Sequence, residues 1–189
     1  MGLDINLRVE NQESLFGGDE QFDYFYVHGL SRTFCNLMCR RDVIASGEPE
    51  LDQVGAITGV DISPLYAMND YPDEEALAFY VDMADTEAEK QQVLTDATNS
   101  KASLQGNIPL VTDTLNLLIE KLSLVANLPG LLAPTDFDSL DNGEYFGNFN
   151  SNPGDGYIGN NFGQDLRNFK RFLQYAQSKG ATTVFFVYG

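Results

Sequence analysis

Two strand-like stretches, one near each end of the chain, constrain the fold more than anything between them. Residues 182–188 are a run of β-branched and aromatic side chains, Thr182 through Tyr188, expected to form a strand and a central one. Residues 3–10 alternate apolar Leu3, Ile5 and Leu7 with polar Asp4, Asn6 and Arg8, the period of two of a half-buried strand. Strands at both termini with helical sequence between them predict an α+β fold: a small, mainly antiparallel sheet using both chain termini, packed with several helices. A chain of 189 residues is expected to form a single globular domain, burying about 70% of the surface that its unfolded form exposes.

Between the strands, apolar Val27, Leu30, Phe34, Leu37 and Met38 fall at helical spacing and predict a helix over 27–41. A short aromatic strand over 21–27 is expected to lead into it. Residues 42–70 are rich in Gly, Pro and acids, with a strand expected over 53–62. Asp73 is placed to cap a helix over 74–84, and Thr86 with Glu89 forms a capping-box pattern for a helix over 86–97, which can merge with the one before it. Pro109 suits a first helical turn. Val111, Leu115, Leu118, Leu122 and Val125 follow at helical spacing, and Leu110, Leu117, Ile119 and Leu124 widen the stripe toward a helix buried on most sides. Residues 132–160 interleave Asp, Asn, Gly and Pro with Phe137, Tyr145, Phe146, Phe149 and Tyr157, and read as a long loop. Asn161 and Gln164 start a last helix with Phe162, Leu166, Phe169, Leu173 and Ala176 on one face, its basic residues facing away, and Gly180 ending it.

The net charge of −17 is unevenly spread. Residues 42–165 hold 22 of the 28 acids and only Lys90, Lys101 and Lys121 as bases. Such a field repels DNA and anionic membranes, so no direct nucleic-acid binding and no membrane association are expected. The apolar run over 122–133 is cut by Pro129 and Gly130, far short of the roughly 20 residues a span needs. Asp4 and Arg8 interrupt the N-terminal apolar residues, which excludes a signal peptide, and Asn6 stands where myristoylation wants Ser or Thr. The two cysteines, four residues apart, are expected to be reduced. The expected location is the cytoplasm.

The only histidine and both cysteines fall in one segment. At 100° per residue on a continuous helix, His28, Arg32, Cys35 and Cys39 share a stripe beside the apolar one. His28, Arg32 and Cys35 are the candidate catalytic residues, as acid/base and anion clamp in a polar pocket. His28, Cys35 and Cys39 are the candidate metal ligands, with a carboxylate such as Asp23 completing a zinc site. The alternative is a core edge, in which the thiols act as small apolar groups. Gly154-Asp155-Gly156-Tyr157-Ile158-Gly159 matches G-x-G-x-x-G before a helix, yet lacks a strand leading in and an acid about 20 residues on, so it reads as a turn and loop. Asp136, Asp138, Asp141, Asn142 and Glu144 have the composition of a calcium loop but not its spacing, since Asp141 stands where the glycine belongs. No complete nucleophile, P-loop or zinc-protease motif is present, and no cofactor is expected.

The opening Met1-Gly2-Leu3-Asp4, the alternating strand and then Tyr26-Val27-His28-Gly29-Leu30-Ser31-Arg32-Thr33-Phe34-Cys35 resemble a loose group of small uncharacterised proteins of phages and bacterial genomes that begin Met-Gly-Leu-Asp. The likeness spans the first 40 residues and carries no catalytic residues; it implies a bacterial or phage origin and an accessory role. The residues themselves favour a non-enzymatic, acidic cytoplasmic protein that binds a protein partner or self-associates. The rival is a small enzyme or ligand- or metal-binding protein with its pocket at the His28 helix.

Overall fold

A computed structural model of the protein describes residues 4–20, 29–72, 74–136, 140–154 and 157–189. The expected aromatic strand over 21–27, His28, Asp73, Phe137 and Asp138 lie outside them.

The two ends of the chain meet as expected. Strand β1 (Ile5–Val9) pairs antiparallel with β2 (Val184–Tyr188), in a register that sets Leu7 opposite Phe186 and Val9 opposite Val184. The alternation has its predicted meaning: Ile5, Leu7 and Val9 point into the core and Asn6 and Arg8 do not.

β2 differs from a central strand in its second neighbour. Among the described residues the sheet has two strands, so one edge of β2 lacks a strand partner. The Asn107 side chain fills that place: its amide donates to the Val184 carbonyl and its oxygen accepts from the Val184 N–H, both at 2.8 Å. The Ile108 N–H donates to the Thr182 carbonyl at 3.2 Å. A primary amide presents the same donor and acceptor pair as a peptide group, so it satisfies an edge without a strand. The face of β2 turned from the core is covered by Tyr71, whose ring stacks on Phe185 at 3.6 Å, so β2 is apolar on both faces with one strand beside it.

The connecting helices follow in chain order: α1 (Gln12–Phe16), α2 (Arg32–Met38), α3 (Arg40–Val43), α4 (Glu50–Thr58) and α5 (Ser63–Ala67), the last running into a 3-10 turn over Met68–Asp70. The strand expected over 53–62 is instead α4. Leu51 and Val54 are buried three residues apart, Glu50 and Asp52 sit at the positive end of the helix, and Gly59 closes it at φ 69°. The helix expected over 27–41 is also corrected. Ser31 is extended (φ −75°, ψ 156°) and its hydroxyl accepts from the Phe34 N–H at 3.2 Å, so α2 starts at Arg32 and no helix runs continuously from Val27.

Helices α6 (Glu74–Met83) and α7 (Glu87–Leu104) remain separate, because the Thr86–Glu89 capping box starts α7 afresh: Thr86 N–H to Glu89 at 2.9 Å and Glu89 N–H to Thr86 at 3.2 Å. Helix α8 (Ile108–Ser123) buries Ile108, Val111, Leu115, Leu118 and Leu122, but Leu110, Leu117 and the following Leu124 are exposed. It is a one-faced helix packed on the last long helix, not one buried on most sides. After a 3-10 turn at Pro129–Leu131 comes the single turn α9 (Asn142–Tyr145), then α10 (Phe162–Ser178). Asn161 caps α10 through the Gln164 N–H at 3.0 Å, the predicted apolar face is wholly buried, and Gly180 has φ 89°. Arg167 does not face away into solvent; it donates to the Phe149 carbonyl at 3.0 Å.

The long segment over 132–160 is built into the body. Gln53 holds the Ala133 backbone at both its N–H and its carbonyl, at 2.6 and 3.1 Å. Tyr145, Phe146 and Phe149 are buried around Phe162, with Phe146 and Phe162 ring centres 5.1 Å apart. These three aromatics are therefore core, supplied by a loop, whereas Tyr157 is exposed.

Candidate functional site

Of the stripe nominated by the sequence, the described members Arg32 and Cys35 point apart. His28 lies outside the described residues. Arg32 turns outward to an exposed ion pair with Asp4 at 2.9 Å, which holds the Asp4 carboxyl below its ordinary value. Cys35 turns inward, fully buried beside Phe34 and Leu37. Burial, reinforced by Cys39, pushes its thiol up to about 12, so it is neither a ready nucleophile nor a ready thiolate ligand. Cys39 is half-buried at the junction of α2 and α3, its thiol raised chiefly by burial. Among the described residues no three His, Cys, Asp or Glu side chains are grouped to hold a metal ion.

The other motifs resolve as architecture. Around the G-x-G-x-x-G match, Gln164 donates to the Gly154 carbonyl at 3.3 Å and Asn168 to the Tyr157 carbonyl at 3.1 Å. Side chains of α10 thus hold this loop, whose Asp155 and Gly156 lie outside the described residues. Of the calcium-like acids, Asp141 caps α9 by accepting from the Glu144 N–H at 3.0 Å.

Among the described residues the most perturbed carboxyl is one that the sequence did not nominate. Asp165, in the first turn of α10, is fully buried. Its Oδ1 accepts from the Ser31 N–H at 2.8 Å; its Oδ2 accepts from the Ser31 hydroxyl at 2.6 Å and from the Tyr145 hydroxyl at 2.9 Å. Burial raises it to about 7 against the opposing pull of those three donors. The same carboxylate, with burial, pushes the Tyr145 phenol well up. Asp165 therefore joins the start of α2, the end of α9 and the start of α10 at one point. Such a node resembles acid/base machinery in its chemistry, but Asp165 has no solvent-exposed surface, and Tyr145 borders a cavity. That cavity, about 200 Å³, lies among Thr33, Asp141, Glu144, Tyr145 and Asn160. A groove of about 780 Å³ between the end of α8 and residues 143–151 is lined without any titratable side chain.

A second buried charge acts in the same structural way. Arg40 grips Glu50 through two bonds, Nε at 2.8 Å and a terminal nitrogen at 2.6 Å, and reaches the Thr135 hydroxyl at 2.6 Å. Both charged side chains are 1% exposed, and they tie α3 and α4 to the 132–136 segment.

The feature with no architectural account is the α6–α7 hairpin. α6 packs chiefly on α7, which joins the body through Ala97, Leu104 and the Lys101 ammonium 5.4 Å over the Tyr71 ring. Leu77, Val81 and Ala84 are half-buried at i, i+4 and i+7 and form the face toward α7. Measured from Leu77 at 100° per residue, Phe79, Met83, Ala76 and Tyr80 occupy a separate sector between about 200° and about 300°. There Phe79, Tyr80 and Met83 are 59%, 60% and 66% exposed. Glu74 and Asp82 fall in the sector between. α6 is thus apolar on two sides and covered on one, and Leu94 on α7 is exposed as well.

Comparison with family models, curated proteins and solved structures gave no match, so the functional reading rests on the residues of this chain. No helix of the described residues is long and apolar enough to cross a membrane.

Proposed function

We propose that this chain is a non-enzymatic, acidic accessory protein of the cytoplasm that acts by binding another protein, with the α6–α7 arm as its docking element. One observation carries the reading: the uncovered apolar stripe of Phe79, Tyr80 and Met83 on a helix whose other apolar stripe is already packed. Clustered exposed aromatics mark interaction surfaces, because a monomer gains nothing by leaving them in water. Two further points support it. Arg32 and Cys35 diverge, and the buried carboxyl at Asp165 is enclosed by its own hydrogen-bond donors. The acidic middle of the chain disfavours nucleic acid as the partner.

The test is affinity capture with the wild-type protein and a Phe79→Ser/Met83→Ser variant, then rebuilding of each complex from purified components. Both positions are exposed, so the variant keeps its fold. A partner that binds the wild type and is lost by the variant is the expected result. A purified partner that binds both proteins equally would place the interface elsewhere and sink the reading.

A further inference from the structure

From the charge around the uncovered stripe, we infer that the partner segment docked on α6 is a cationic amphipathic helix, an inference that rests on the arm being the docking element. The shape argument comes first. α6 is a helix of ten residues, about 15 Å long, with its second apolar sector running along its axis. A third helix laid along that sector would complete a three-helix layer, and two or three turns would cover Phe79, Tyr80 and Met83.

Charge then selects among helices. Residues 74–104 carry seven acids and two lysines, and the lysines sit on α7. On α6 itself no base is present; Asp82, about 60° round from Phe79, borders the uncovered stripe, while Glu74 lies beside the packed one. At the tip, Asp85 and Glu87 flank Thr86, which the capping box fixes in place. A helix presenting leucine-like residues to the stripe therefore meets carboxylates at its rim, and lysine or arginine there converts repulsion into steering. A second copy of this chain would bring the same acidic rim against itself, at a net charge of −17 on each molecule. Self-association through the arm is thus opposed by the residues that favour a basic partner.

The experiment uses the full chain and two synthetic amphipathic helical peptides with the same leucine face, one carrying lysine and the other glutamate on its polar face. Binding is read by fluorescence anisotropy at low and physiological salt for the wild type, for Phe79→Ser/Met83→Ser, and for Asp82→Asn/Asp85→Asn. The lysine peptide is expected to bind the wild type, to weaken about tenfold or more with the serine pair at unchanged charge, and to become less salt-dependent with the asparagine pair. If the glutamate peptide binds as well and the serine pair weakens it, the cationic partner is refuted while docking on the arm stands. If the lysine peptide binds wild type and serine pair alike, it follows the overall negative charge, and both the inference and the arm reading fall. Binding of neither peptide also overturns the inference. So does sedimentation showing a wild-type dimer that the serine pair dissolves, because the stripe is then filled by a second copy.

Discussion

Replacing Asp165 by Asn should alter how stability depends on pH more than it alters stability itself. In the folded protein the carboxyl is raised from an ordinary 3.8 to about 7. Below about pH 4 the folded and unfolded chains both hold the proton, so the group is neutral in the balance. Between about 4 and about 7 only the folded chain holds it, and stability falls as pH rises, reaching its lower plateau once the folded carboxyl has ionised. The interval spans about three pH units at about 1.4 kcal/mol each, so the wild type loses up to about 4 kcal/mol from this group alone. An asparagine at the same place keeps an oxygen for the Ser31 N–H and offers an NH₂ to the Ser31 and Tyr145 hydroxyls, which can accept. The variant lacks the titration, while the Ser31 and Tyr145 hydroxyl hydrogens lose the oxygen that accepted them, a cost independent of pH that shifts the difference without changing its slope. Urea denaturation of both proteins from about pH 4 to about pH 8 gives the difference directly, since the other acids are shared and cancel. The expected result is a variant that gains on the wild type by several kcal/mol across that range. A difference that stays flat would mean that the carboxyl titrates normally and that the buried node is wrongly described.

Three further outcomes follow from the same packing. Arg40→Met leaves Glu50 charged and buried without its partner and should cost about 3–5 kcal/mol in urea denaturation, while Arg40→Met/Glu50→Leu should recover most of it; a neutral single variant would contradict the buried pair. Thr86→Ala should cost about 1 kcal/mol and show as faster hydrogen exchange in the first turn of α7, with exchange in α8 and α10 unchanged. A thiol reagent at mildly alkaline pH should label half-buried Cys39 first and reach Cys35 only at the rate of unfolding, so that the second reaction accelerates with denaturant and the first does not.

What the sequence disclosed, it disclosed through local chemistry. The capping pairs Asn161–Gln164 and Thr86–Glu89, the period of two in β1 and the apolar face of α10 each depend on residues a few positions apart, and each is present as read. What it concealed depends on distant residues. Nothing near Val184 announces that the Asn107 side chain will stand in for a neighbouring strand. The break at Ser31 was signalled by a serine before an apolar helix, but the apolar spacing through Leu30 masked it. α4 was obscured by Gly55 and Gly59, which depress helix propensity although Gly59 is what ends the helix. Asp165 did leave a trace: it lies three residues after Phe162 and four before Phe169, on the buried face, where an acid is kept only if something distant hydrogen-bonds it. Its partners, Ser31 and Tyr145, could not be read from that position. The two apolar sectors of α6 were also present in the letters, but only the structure shows which of them α7 covers.

The pairing of β1 with β2 has a consequence for the order of events in synthesis. Ile5, Leu7 and Val9 leave the ribosome well before the residues that complete their strand pair, Tyr188, Phe186 and Val184, which follow all the helices described above. Until then β1 presents an unpaired backbone edge and three apolar side chains, the kind of segment that holdase chaperones retain. The sheet closes by joining distant segments, a slow step compared with forming the helices between them. A nascent chain that stops before residue 184 would therefore display the helices with β1 bare.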